Sequence, residues 1–144
     1  MLNDQALTDL AQWAESGRKQ GGERMLKYKK EDPNTVFLKA FLPDTGEIVG
    51  MAKWNIFTNN TIPDPAKSPD TTNYWKSEED MAVAGAMAKN FLSLRTEAIQ
   101  KSGGNLISLD ILAIDPKYQR NGAGSKLVRW GTQKADELGV DAVS

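Results

Sequence analysis

Cysteine and histidine are both absent from the 144 residues of this sequence. Without cysteine the chain has no disulfide and no thiolate ligand for a metal, and this absence fits a cytoplasmic protein. Without histidine it has no Ser–His or Cys–His catalytic pair and none of the common histidine-ligated zinc sites, so we expect no metal. A general base would therefore be a carboxylate, a tyrosine, a lysine, a chain terminus or a relayed water molecule.

Long apolar runs and an excess of one charge are missing as well. No stretch is long enough to span a bilayer, and polar residues follow Met1, so we expect neither a membrane partner nor a signal peptide. The net charge of −1 argues against a dedicated nucleic-acid binder. A composition of 26% charged and 40% hydrophobic residues predicts an ordinary folded domain with a sizeable core.

The central feature that is present is a strand, a glycine-containing turn and a helix between residues 106 and 138. Residues 106–114 are apolar except for Ser108 and Asp110, which is typical of a strand buried on both faces. Pro116 ends this strand because it cannot donate to a ladder. Apolar and small residues then recur every three or four positions from Ala123 onwards, so a helix is predicted there.

The turn before this helix has the features of an anion site. Gly122 and Gly124 allow the backbone to pass close to a ligand, and the first amides of a helix lie unpaired at the positive end of its dipole. Residues 116–135 contain five basic side chains and no acidic one, although the whole chain is almost neutral. A phosphate or pyrophosphate would fit there. A plain turn with solvated charges is the alternative.

The residues from Ala113 to Leu127, AIDPKYQRNGAGSKL, resemble the central motif of the GNAT superfamily of acyl-CoA N-acyltransferases. That motif is Gln or Arg, two free positions, Gly, one free position, and then Gly or Ala. Gln119, Gly122 and Gly124 fill it here. A Walker loop would need Gly-Lys-Ser/Thr, and a dinucleotide fingerprint would need three glycines at another spacing. Both of these alternatives fit less well.

The resemblance implies an α/β fold with a mixed sheet, in which an antiparallel strand pair and the cofactor strand are flanked by helices. The pair is predicted at Val36–Leu42 and Glu47–Phe57, joined by a turn at Pro43–Gly46. A further strand begins at Val140 and would lie parallel beside the cofactor strand. We expect one domain over residues 1–144, incomplete at its C-terminus, in a truncated chain or one half of a split protein.

The rest of the pattern predicts two more helices and a long loop. Residues 3–20 are predicted as the first helix, ended by Gly21-Gly22, and residues 78–101 as the second. The loop at residues 58–77 would be a lid, a binding loop or a disordered segment, and the role of Tyr74-Trp75 in it stays open. The apolar stripe of the second helix is predicted to consist of Met81, Ala84, Met87, Ala88, Phe91, Leu92, Leu94 and Ala98.

The resemblance also implies a reaction, in which acetyl-CoA donates its acetyl group to an amine that attacks the thioester directly. The pantetheine arm would pair with the backbone of Leu112, Ala113 and Ile114. The pyrophosphate would lie on the loop, with Arg120, Lys126 and Arg129 adding positive charge. The predicted cofactor-binding loop consists of Gln119, Arg120, Asn121, Gly122, Ala123, Gly124 and Ser125.

Asp110 is the only carboxylate within the strand at 106–114, and Ser108 lies two residues away on the same face. Both are therefore candidate catalytic residues, with Asp110 acting as a base or as a residue that positions water. A structural or solvent-facing aspartate is the alternative. Some relatives carry a glutamate near the position of Ser108, which puts direct base catalysis in doubt. Trp54 would line the acceptor pocket or pack in the core.

The acceptor could be a small amine, an amino acid or a protein N-terminus; a small molecule is expected, because no strongly charged cluster marks the substrate side. A homodimer, or pairing with the missing C-terminal half, is the other expected association. Whether this chain alone catalyses turnover stays open. The alternatives to an enzyme are a non-catalytic acyl-CoA-binding module, one half of an assembled acetyltransferase, and a phosphate-binding domain unrelated to coenzyme A.

Overall fold

The computed structural model describes residues 4–63 and 77–144, without the side chains of residues 4–11, 13 and 14. Most of the predicted loop at 58–77, including Tyr74-Trp75, therefore lies outside the described residues. The chain divides into two units, Met1–Val36 and Phe37–Ser144. Within the described residues, no helix is both long and apolar enough to cross a membrane.

The first unit is formed mainly by helix α1, which runs from Asp4 to Glu31. The predicted end at Gly21-Gly22 is wrong. A glycine within a helix costs only about 1 kcal/mol relative to alanine, and the helix-forming residues that follow continue the helix. The helix ends instead just before Pro33, where the Asp32 carboxylate accepts a hydrogen bond of 2.9 Å from the backbone N–H of Asn34.

The four strands form one mixed sheet in the order β1-β2-β3-β4. Strands β2 and β3 are antiparallel, whereas β3 and β4 are parallel, which confirms the predicted α/β fold with a mixed sheet. The hairpin turn before β2 is closed by a 2.7 Å bond from Gly46 N to Leu42 O, with Gly46 in the left-handed conformation. The strands are β1 (Thr35–Phe41), β2 (Ile48–Phe57), β3 (Leu106–Ile114) and β4 (Asp141–Val143).

Two helices accompany the sheet in the second unit, and both have the predicted bounds. Helix α2 covers Glu78–Lys101, and the Ser77 hydroxyl caps it by accepting a 3.0 Å bond from Asp80 N. Helix α3 covers Ala123–Leu138 and ends at Gly139, whose φ of 66° is left-handed.

The core of this unit lies on both faces of β2 and β3. Trp54 is 2% exposed, and its indole N–H donates to the carbonyl of Leu127 in α3 at 3.3 Å. Phe57 lies three positions further along β2 and so faces the other side, where it packs with Leu106 and with Ile99 of α2. Core packing is thus the interpretation that holds for Trp54.

Two sequence expectations about burial are wrong. Strand β3 is buried only at its start, residues 106–108, where Ile99 of α2 packs against Leu106 and β4 covers the edge; Leu112 is 42% exposed. The apolar stripe of α2 is only partly packed, since Met87, Phe91 and Leu94 are 68%, 81% and 77% exposed. Among the described residues, α2 packs on the sheet chiefly through its C-terminal end at Ile99.

Candidate active site

The loop between β3 and α3 is held in shape by its own hydrogen bonds. A short 3₁₀ turn at Pro116–Tyr118 follows β3, and the Asp115 carboxylate accepts a 2.9 Å bond from Lys117 N. The side-chain amide of Gln119 then donates to Ile114 O at 3.3 Å, which ties the loop to the end of the strand. The glutamine of the motif therefore has a structural function in this chain.

The N-terminus of α3 presents unpaired backbone donors. Arg120 and Gly122 have φ angles of 63° and 83°, so the chain makes two left-handed steps as it enters the helix. Gly122 is the N-cap and provides no side-chain cap, and the first turn contains no acidic residue. Lys126 N donates to Gly122 O at 3.0 Å, so the amides of residues 123–125 precede the first helical bond. An anion at this position meets free N–H groups and the positive end of the helix dipole.

A groove of about 590 Å³ joins this helix end to the exposed part of β3. Three of the predicted cofactor-binding residues line this groove, namely Leu112, Gly124 and Ser125. Arg129 adds a positive charge to the same groove. The complete lining consists of Leu112, Gly124, Ser125, Val128, Arg129 and Thr132.

The pairing of β2 with β3 decides which backbone groups face this groove. Asp115 N donates to Val49 O at 2.9 Å, and Ala113 lies opposite Met51. Antiparallel partners exchange their hydrogen bonds at alternate residues, so Ala113 bonds to β2 and Leu112 does not. The N–H and C=O of Leu112 therefore point away from β2. Among the described residues no strand pairs with β3 on that side at Leu112, because β4 reaches only the start of β3.

A second cavity, also of about 590 Å³, lies on the other side of the loop between β1 and α3. Lys126, Asn121 and Ala123 line this cavity and do not line the groove at Leu112. The expectation that Lys126 adds charge beside the cofactor is therefore not supported by its position.

Lys117 keeps positive charge close to the loop. A hydrogen bond to the hydroxyl of Tyr118, together with the nearby negative charge of Glu47, raises the pKa of Lys117. Its ammonium also lies 4.9 Å from the centre of the Tyr118 ring, and the Tyr118 hydroxyl donates to Glu47 at 3.0 Å. These contacts hold the Lys117 ammonium beside the loop.

Asp110 is the centre of a polar cluster on the face of β3 that carries Ser108. The Ser108 hydroxyl donates to Oδ1 of Asp110 at 2.9 Å. Oδ2 accepts from Lys53 Nζ at 2.9 Å, from Arg95 Nη1 at 2.7 Å and from the side-chain amide of Asn55. The Asp110 side chain is 10% exposed and accepts hydrogen bonds from four side chains, so it is a largely buried carboxylate rather than a solvent-facing one.

A family model described as "Acetyltransferase (GNAT) family" matches residues 4–144. The chain belongs to the GNAT acetyltransferase family. The resemblance predicted from Gln119, Gly122 and Gly124 is thereby confirmed. A comparison with curated protein sequences gives no match.

Solved structures of acetyltransferases resemble the chain only distantly. The aminoglycoside 6'-N-acetyltransferase AAC(6')-IG from Acinetobacter haemolyticus is 11% identical, with a TM-score of 0.44 over 90% of this chain and 61% of that one. An acetyltransferase from Trypanosoma brucei is 16% identical, with a TM-score of 0.43 over 100% of this chain and 63% of that one. AAC(6')-Iy in complex with the bisubstrate analog CoA-S-monomethyl-acetylneamine is 12% identical, with a TM-score of 0.43 over 90% and 58%. The chain thus spans about three fifths of the length of these structures.

In this GNAT chain, sequence reasoning found Ser108 and Asp110 but missed the two cations that contact Asp110. Lys53 was detectable, because a lysine inside the apolar strand β2 requires a partner if it is buried. Arg95 gave no such signal, since it lies on a long helix where charged residues are normally solvated. No group of three or more potential metal ligands occurs in the described part of the chain.

Proposed function

We propose that this chain binds acetyl-CoA in the groove between β3 and α3, and that its protein transfers the acetyl group to the amine of a small molecule. The proposal is carried by backbone N–H and C=O groups at both ends of this groove that have no partner among the described residues. At one end these are the outward-facing N–H and C=O of Leu112, and at the other they are the amides of residues 123–125. One end suits an amide-containing arm, and the other suits a pyrophosphate.

The pantetheine arm would add to the free edge of β3 as a short strand does. The outward-facing C=O of Leu112 supplies the acceptor for an amide of this arm and leaves its N–H for the thioester carbonyl, whereas Ala113 hydrogen-bonds to β2. The carbonyl of Ile114 is already an acceptor for Gln119. The pyrophosphate would lie on the amides of the loop from Gln119 to Ser125, and Arg129 would add charge from the groove.

Attack by the amine turns the thioester carbonyl into an oxyanion. The N–H of Leu112 faces the groove and would donate to that oxygen. A donor fixed at this place lowers the barrier because it stabilises the negative charge that develops in the transition state. The attacking ammonium must first lose a proton. Among the described residues, Oδ1 of Asp110 accepts only from Ser108 and so can accept from a further donor; we assign Asp110 the positioning of a water molecule that accepts this proton.

Titration calorimetry with acetyl-CoA, followed by an acetyl-transfer assay on a panel of amines, tests the proposal. We expect saturable 1:1 binding that adenosine nucleotides do not match. Binding without transfer to any amine would favour the non-catalytic acyl-CoA module. Equal competition by nucleotides and coenzyme A would point to a phosphate site unrelated to acyl transfer. A folded chain that does not bind acetyl-CoA would contradict the proposal.

Asp110→Asn should lower both stability and turnover. The variant leaves Lys53 and Arg95 beside a neutral amide, and removing one partner of a buried ion pair costs about 3 kcal/mol. In an assay kept below its unfolding temperature, kcat should fall at least about tenfold with a changed pH–rate profile, since a proton-transfer group contributes that much or more. Asp115→Asn is the matched control, because Asp115 is exposed and an asparagine can still cap Lys117 N. Unchanged turnover and an unchanged pH–rate profile would show that Asp110 has no catalytic function.

A further inference from the structure

Arg95 brings a cation from α2 to the part of β3 that precedes the groove. Its Nη1 lies 2.7 Å from Oδ2 of Asp110, and its guanidinium lies 6.0 Å from the centre of the Phe57 ring. Asp110 and Leu112 are two positions apart, so their backbones lie about 7 Å apart along the strand. A small acceptor that spans this distance would reach Arg95.

The guanidinium of Arg95 has an unused edge. Its Nε is buried and has no hydrogen-bond partner among the described residues. Among the contacts of the described residues, the ion pair with Asp110 uses only Nη1, so the Nε–Nη2 edge retains two parallel N–H donors there. A buried donor without an acceptor destabilises the fold, and a ligand that supplies the acceptor would remove this penalty.

The chemistry of this edge selects its ligand. Two parallel N–H groups fit the two oxygens of a carboxylate, and arginine binds carboxylates in this bidentate form. Arg95 shares Oδ2 of Asp110 with Lys53, and the described residues provide Arg95 with no second carboxylate. The Arg95 side chain is 27% exposed whereas its Nε is buried, so a carboxylate reaches this edge from the exposed part of the guanidinium when the side chains that cover Nε move.

We propose that the Nε–Nη2 edge of Arg95 binds a carboxylate of the acceptor. The inference rests on the proposed acetyl transfer and makes it more specific: the acceptor is an amino acid, or another amine with a carboxylate a few bonds from its nitrogen. Bound in this way, the carboxylate holds the amine towards Leu112. A polycationic amine is disfavoured, because Arg95 and Lys53 would repel it.

The test compares amines that differ only in a carboxylate. L-phenylalanine is paired with 2-phenylethylamine, L-leucine with 3-methylbutylamine, and spermidine serves as the polycation. A charged hydrogen bond contributes about 1.5–3 kcal/mol, so the wild type should prefer each amino acid by roughly ten- to a hundredfold in kcat/KM. Arg95→Lys keeps the charge but loses the two-donor edge, and should reduce this preference to within about threefold without changing the KM for acetyl-CoA. Arg18→Lys, an exposed change on α1, is the control.

Failure of this inference differs from failure of the proposed function. If acetyl-CoA binds and amines are acetylated, but the amino acids are not preferred or Arg95→Lys keeps the preference, then the role of Arg95 is wrong and acetyl transfer stands. If no amine is acetylated, calorimetry is used to measure the binding of L-phenylalanine to the chain saturated with coenzyme A, and the result decides whether Arg95 binds a carboxylate. Binding that is lost in Arg95→Lys supports the inference, and no binding overturns it.

Discussion

Ser125→Glu is expected to abolish acetyl-CoA binding at micromolar concentrations while leaving the fold intact. Ser125 is exposed in the first turn of α3 and lines the groove that holds the proposed pyrophosphate site. A carboxylate there meets the pyrophosphate at close range, and two like charges about 4 Å apart near a protein surface repel by about 4 kcal/mol. Calorimetry should therefore show affinity reduced at least about a hundredfold.

Ser125→Glu should not reduce the stability of the fold, so a loss of binding can be attributed to the added charge. An acidic residue in the first turn of a helix interacts favourably with the dipole by about 0.3–1 kcal/mol. The urea midpoint of Ser125→Glu should thus equal or exceed that of the wild type, although binding is lost. A variant that unfolds earlier and also fails to bind would report damage to the fold instead.

Gln133→Glu is the matched control for this prediction. It adds the same charge to an exposed position of α3, eight residues further along the helix and so about 12 Å away. At physiological ionic strength that separation exceeds the screening length of about 8 Å. Binding should therefore change little. Equal losses in both variants would mean that overall charge rather than a local anion site governs affinity, and tight binding by Ser125→Glu would place the pyrophosphate elsewhere.

The sequence predicts the position of the turn between β3 and α3 well because the relevant interactions there are local. Gly122 and Gly124 mark the turn, Pro116 marks the end of the strand, and each acts within a few residues of its position. The left-handed φ of Gly122 and the free helix N-terminus follow from the same short segment. Long helices with clear caps, such as α2 after Ser77, are predictable for the same reason.

The features that sequence reasoning missed depend on contacts between distant parts of the chain. Lys53 and Asp110 are 57 residues apart, and only the register of β2 with β3 brings them to one carboxylate. Lys126 carries a charge close to the motif, yet the helical turn directs it to the cavity beside β1. The continuation of α1 through Gly21-Gly22 shows that the propensity of two residues is too weak to end a helix.

Gly131→Ala is expected to destabilise the protein, although alanine is the better helix former. A Cβ at position 131 would lie 2.1 Å from a carbon of the Trp54 ring, far inside contact distance. The ring is 2% exposed and held by its bond to Leu127 O, so it has little room to move. Overpacking of this kind costs about 1–3 kcal/mol, and the preference of the helix for alanine recovers at most about 1 kcal/mol. Urea unfolding should show a net loss of about 1–2 kcal/mol.

Two further variants test whether the clash with the Trp54 ring causes this loss of stability. Gly85→Ala replaces a glycine of α2 that has no atom within 4 Å of the added Cβ, so it should raise stability by about 0.5–1 kcal/mol. Trp54→Phe removes the ring carbons that the new methyl group meets. The double variant Gly131→Ala, Trp54→Phe should therefore be more stable than the sum of the single losses predicts, by about 0.5–3 kcal/mol. Additive losses, or a stabilising Gly131→Ala, would mean that α3 does not pack on Trp54 at this distance, and the position of the helix N-terminus beside β3 would then need another explanation.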